Sequence, residues 1–115
     1  MSKVKLRTIL KNTSSNEKIE YNIPGIKQDN KISYLEKGMN VSIIIDKKII
    51  IIRKDQDKEI ILEFVNNKYS KCQYKVYGNI YELDIYTNNL IIKDNYIEID
   101  YRVEEDNLNF KLYIE

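Results

Sequence analysis

The sequence predicts an all-β domain, an antiparallel meander closed into a small barrel. Three observations carry that prediction. Apolar and polar residues alternate with a period of two along most of the 115 residues, the pattern of strands with one buried face. Short turn-forming clusters recur between the alternating stretches, as in an up-and-down sheet. No stretch carries the 3.6-residue apolar period of an amphipathic helix. Closure into a barrel then removes the sticky edges of an open sheet.

The elements follow in order. Val4, Leu6, Thr8 and Leu10 fall on one face, with Lys3, Lys5, Arg7 and Lys11 on the other. Asn12 to Asn16 is a polar turn. Ile19, Tyr21 and Ile23 then alternate with Lys18, Glu20 and Asn22 until Pro24-Gly25 is expected to break the strand. A third strand falls around Lys31 to Glu36. Val41 to Ile45 and Lys48 to Lys54 form a hairpin about Asp46-Lys47, and Asp55-Gln56-Asp57 turns into Glu59 to Val65. After Asn66-Asn67, Tyr69 to Tyr77 leads to Gly78-Asn79, a pair suited to the positive φ of a hairpin turn. Ile80 to Thr87 returns, Asn88-Asn89 marks a bend, and Leu90 to Lys93 continues. Asp94-Asn95 precedes Tyr96 to Glu104, and Glu105-Asp106-Asn107 precedes a last strand with Leu108, Phe110, Leu112 and Ile114 on one face. No linker, repeat or low-complexity tract divides residues 1–115, so a single domain is expected.

Composition narrows the chemistry. Lys and Arg total 19 against 18 for Asp and Glu, a formal charge of +1, so no overall field draws the chain to a polyanion. There is no His, no Trp and one cysteine, Cys72. A lone cysteine forms no internal disulfide and fits a reducing cytoplasm. The N-terminal residues lack the continuous apolar segment of a signal peptide, and the longest apolar runs are too short to cross a bilayer. A cytoplasmic location, away from any membrane, is the expectation. Without His, the Ser–His–Asp triad and the Cys–His dyad are both absent, and one Cys supplies no zinc site. With three glycines in the chain, no phosphate-binding loop appears. No catalytic residue, metal or cofactor is expected, and an enzyme ranks last among the readings.

What remains are candidate surfaces. Glu82 and Asp84 project to one face at strand spacing, which reads as the solvated side of a strand. Cys72 reads as a packing residue. Arg53 is the one charge in a strongly apolar strand. It either anchors a carboxylate or phosphate near the barrel interior or reaches solvent from the strand end. Lys68 to Tyr77 interleaves lysines with tyrosines and contains no acid, a pattern suited to stacking bases and holding phosphates. Tyr is equally a favoured strand residue. Ile43 to Ile45 and Ile49 to Ile52 are consecutive isoleucines. In a one-layer barrel, one parity of these must face outward, which predicts an apolar outer wall used for interaction. Arg53, Tyr74 and Tyr77 are the candidate ligand residues. Ile44, Ile50, Ile52, Lys71 and Lys75 are the candidate interaction surface.

The chain resembles a known family through Val4-Lys5-Leu6-Arg7-Thr8, Ile51-Ile52-Arg53-Lys54, Leu62-Glu63-Phe64, Tyr77-Gly78 and Leu83 to Leu90. These stretches, in this order, are similar to the YwiB-like domain of unknown function, small bacterial proteins with a calycin, or lipocalin-like, β-barrel. Lys75-Val76 stands where that family carries Thr-Pro. The resemblance implies the barrel and brings no activity with it. The resulting expectation is a non-enzymatic binding module for a small ligand in its mouth or a protein partner on its wall. A single-stranded nucleic-acid accessory protein using the Tyr/Lys surface is the alternative, and a homodimeric interaction module the third reading. At about eight strands, side chains either fill a barrel or leave room for one small ligand. Here Ile, Leu, Phe and Tyr, with no Ala, predict a lumen packed shut with at most a shallow site near one mouth.

Overall fold

The computed structural model describes residues 2–115. It contains ten strands: β1 (Ser2–Asn12), β2 (Glu17–Gln28), β3 (Lys31–Glu36), β4 (Met39–Ile45), β5 (Ile49–Lys54), β6 (Lys58–Phe64), β7 (Tyr69–Val76), β8 (Asn79–Lys93), β9 (Tyr96–Val103) and β10 (Asp106–Ile114). Each pairs antiparallel with its neighbours in sequence, and β1 also pairs with β10, so the sheet is a closed barrel. Among the described residues, no helix is long and apolar enough to cross a membrane. Because strand direction alternates, the β1–β2, β3–β4, β5–β6, β7–β8 and β9–β10 turns gather at one end. We call that end the mouth, and the opposite end the floor.

The period of two decides the core. Leu6 and Thr8 of β1, Ile97 and Ile99 of β9, and Phe110 and Leu112 of β10 alternate inward and are buried. In the isoleucine hairpin the odd positions point in: Ile43 and Ile49 are fully buried and Ile51 nearly so. Ile44, Ile50 and Ile52 therefore lie on the outer wall, half-buried, with Ile44 opposite Ile50 and Ile52 opposite Ile61. The turns obey backbone rules with three exceptions, Lys37, Tyr77 and Glu104, which hold positive φ without being Asn, Asp or Gly. Lys37-Gly38 and Tyr77-Gly78 both have positive φ at both residues, the two-residue turn that matches strand twist. That turn begins one residue earlier than Gly78-Asn79, and it places Lys37 and Tyr77 in a conformation that Asn or Gly adopts at less cost.

Two strands outrun their neighbours. Pro24 does not end β2, as its sequence suggests, because β2 stays paired with β1 from Glu17 to Lys27, Pro24 lying opposite Lys5. What stops there is pairing on the other edge. β2 meets β3 only over Gly25–Gln28, since proline has no N–H to donate to a ladder. Gly25 fits there because a Cβ would lie 2.5 Å from Leu6 Cδ1. Residues 17–23 thus have no β3 partner. At the other flank, β8 pairs with β9 only from Ile85 onward, with an irregularity between Thr87 and Asn89. Residues 79–84 are paired with β7 alone. The barrel is split along two seams toward the mouth, and at the floor the β6–β7 ladder stops at Leu62 and Cys72.

Candidate ligand-binding site

The lumen is packed at the floor, where Ile32, Ile43, Ile49, Ile97 and Leu112 are fully buried. Toward the mouth it opens into a cavity of about 270 Å³, walled by residues of β1, β2, β3, β4, β5, β6, β9 and β10. The lumen is thus filled over the floor and keeps one site near the mouth, larger than the shallow one expected. Ten strands enclose a wider space than eight, and two inward positions near the mouth carry charges instead of aliphatic side chains. Arg53 has the parity of Ile49 and Ile51, and Glu36 that of Ile32 and Tyr34. The register brings β3, β4 and β5 side by side, and the Arg53 guanidinium forms an ion pair with the Glu36 carboxylate. Their side chains are only 25% and 11% exposed, so both charges are largely withdrawn from water and each depends on the other.

The surroundings are apolar with a few placed polar groups. Leu10, Ile51, Leu62 and Phe110 line the cavity, and Phe64 meets Tyr101 edge to face with centroids 4.8 Å apart. Burial pushes the Tyr101 phenol up to about 12, with the Arg53 charge pulling the other way. Burial likewise pushes Tyr34 up to about 12 against the Arg53 charge. Both phenols are therefore neutral hydrogen-bonding groups at physiological pH. Tyr34 Oη and Thr87 Oγ1 are buried and have no hydrogen-bond partner. The entrance lies along the β2–β3 seam, between Ile19 and Tyr21 on one bank and Lys37 and Met39 on the other. Lys37 Nζ sits 5.6 Å from the centroid of the Tyr21 ring, a cation–π contact that bridges the seam.

Of the residues singled out from the sequence, Arg53 lies in this wall. Tyr74 and Tyr77 do not line the cavity. Tyr77 sits at the exposed tip of the β7–β8 hairpin, and Tyr74 is half-buried on β7 opposite Ile60 and Tyr81. Glu36, Lys37 and Tyr101 of the wall were missed. The signal for Glu36 was present, because it stands two and four residues from the inward Tyr34 and Ile32. The lysines of the Tyr/Lys strand are neutralised across the sheet, Lys71 by Asp84 at 2.5 Å and Lys75 by Glu59 at 3.4 Å. Cys72 is buried and its thiol pKa is raised by burial, as for a packing residue. Glu82 and Asp84 are exposed. Among the described residues, no three acidic or thiol side chains converge as metal ligands would.

The fold is similar to a solved structure, that of the ywiB protein from Bacillus subtilis. The TM-score is 0.71 and the identity 16%, over 98% of this chain and 89% of that one. No curated protein matches the chain. A family model does, over residues 4–113, and on that span the chain belongs to the family described as a domain of unknown function, DUF1934.

Proposed function

We propose that this protein is a non-enzymatic binding module that holds one small, mainly apolar ligand with an anionic head in its lumen. The observation that carries this reading is the cavity of about 270 Å³ with the Arg53–Glu36 pair set into an apolar wall. Ligand sites combine a largely apolar lining with a few fixed polar groups, and an inward guanidinium is suited to a carboxylate or phosphate. With Lys37 at the entrance, two cations face one carboxylate, so the site carries a net positive charge toward an entering anion. The volume lies just below the usual range of about 300–1,000 Å³ for ligand pockets, which favours a short-chain or single-ring acid over a long fatty acid.

The test uses octanoate and benzoate as probes, with octanol and benzyl alcohol as uncharged counterparts. The acids are expected to raise the melting temperature with saturable dependence on concentration, and the alcohols to have less effect. In Arg53→Met/Glu36→Gln, which removes the pair without stranding a charge, the acids should lose their advantage. Equal effects of acids and alcohols, or no effect of either at millimolar concentration, would overturn the reading.

A further inference from the structure

We propose that two copies of this chain associate through the free edge of β8, residues 79–84, running antiparallel about a two-fold axis, so that the β3–β8 wall of one copy continues into that of the other. Three observations converge on this edge. First, residues 79–84 are paired on the β7 side only, so the strand presents an unpaired row of backbone donors and acceptors, a template for another strand. Second, the edge leaves three large apolar side chains bare, Ile80, Tyr81 and Leu83, beside the acids Glu82 and Asp84. Neither proline nor lysine, the usual guards of an edge, occurs between Asn79 and Asp84. Third, Tyr77 holds a positive φ at the tip while 77% exposed. That exposed aromatic ring stands beside the edge, at the tip of the same hairpin.

The charges favour a second copy as the occupant. On the outer face of this hairpin β8 carries acids, Glu82 and Asp84, and β7 carries lysines, with Lys75 opposite Ile80 and Lys71 opposite Asp84. A two-fold axis perpendicular to the sheet keeps the outer faces on one side and pairs only positions of equal parity. Centred on Tyr81, it sets Tyr81 against Tyr81, Leu83 against Asn79, and Glu82 against Ile80 of the second copy. Lys75 of that copy, already 3.4 Å from its own Glu59, then stands one strand further on from Glu82 and would be shared between the two carboxylates. Shifting the centre to Glu82 opposes two like charges, which is unfavourable. The contact is isologous and closes at two copies. It leaves the Arg53 cavity untouched, so it stands apart from the ligand reading.

The oligomeric state tests it. Light scattering on the full chain from micromolar to millimolar concentration should show mass rising from one chain to two. Tyr81→Lys, which opposes two ammonium groups, should raise the dissociation constant by more than about tenfold, with circular dichroism unchanged. Ile50→Lys, on the outer isoleucine wall, should leave association intact. Amide hydrogen exchange at residues 79–84, and not at 17–23, should slow as concentration rises. A wild-type chain that stays monomeric at millimolar concentration overturns the proposal. So does a dimer that survives Tyr81→Lys and is lost in Ile50→Lys, which would move the contact to the wall.

Discussion

The floor and the mouth of this barrel are built from the same kind of strand and differ in two respects. At the floor the β2–β3, β4–β5 and β8–β9 ladders run up to their turns, and fully buried aliphatic side chains fill the interior: Ile32, Ile43, Ile49, Ile97 and Leu112. At the mouth two strands overrun their partners, and the inward positions include a guanidinium, a carboxylate and two phenols. The difference teaches where a closed barrel keeps room for something else. The ladder stays closed where each strand has a full partner, and space opens where a proline withholds one donor and a charge replaces an isoleucine.

Substitutions at the two ends should separate them, beginning with the largest effect. Ile43→Ala at the floor should cost about 2–5 kcal/mol, the range for a fully buried aliphatic residue, whereas Met39→Ala at the cavity rim should cost about 1 kcal/mol or less. Urea denaturation of both measures this, and equal losses would dissolve the comparison. At the mouth, Arg53→Met should destabilise by roughly 3 kcal/mol because it strands the withdrawn Glu36 carboxylate. The added Glu36→Gln should recover most of that loss. A single variant as stable as the wild type would mean the pair is solvated after all.

The phenols make the mouth sensitive to alkali. Tyr34 and Tyr101 are raised from 10.0 to about 12 in the folded chain. Below pH 10 both states keep the proton and the full stability is present. Above it the unfolded chain ionises first, and stability falls until the pH passes the folded value. The loss should be on the order of 3 kcal/mol per tyrosine, given about 1.4 kcal/mol per pKa unit. Tyr34→Phe and Tyr101→Phe should each flatten the alkaline limb in a pH series of melting temperatures. The smallest effect belongs to the turns. Tyr77→Asn, which relieves the positive φ at the β7–β8 tip, should stabilise the chain by about 1 kcal/mol, read as a higher melting temperature.

How much of this was legible in the sequence differs between the two ends. Strands such as Ile97-Glu98-Ile99-Asp100-Tyr101 announce both their type and their inner face, because one parity is apolar and the other polar. The run Ile49 to Ile52 announces a strand and hides its face, since both parities are apolar. Only the register with β6, which sets Ile49 against Phe64 and Ile51 against Leu62, shows that the odd side is inward and takes Arg53 with it. Pro24 signalled a break but not which edge would break, as that depends on β1 covering one side. The neutralising partners of Lys71 and Lys75 lie on neighbouring strands, at separations that a local pattern does not reach. The binary pattern thus specifies the packed floor, while the site depends on cross-strand register.

The closure of β1 on β10 bears on how the chain reaches its fold. Nine of the ten ladders join strands adjacent in sequence, and each can form soon after its own turn. The tenth sets Leu6 against Ile114, and Lys5 exchanges backbone hydrogen bonds with Glu115, so it joins opposite ends of the polypeptide. The entropy of closing that longest loop is lost before its hydrogen bonds form. The meander is therefore expected to assemble quickly from its hairpins and then wait on one slow step, the meeting of first and last strands. Until that step, the β1 and β10 edges both stay open to pairing with other chains, and the burial of Leu6 and Leu112 in the wall marks its completion.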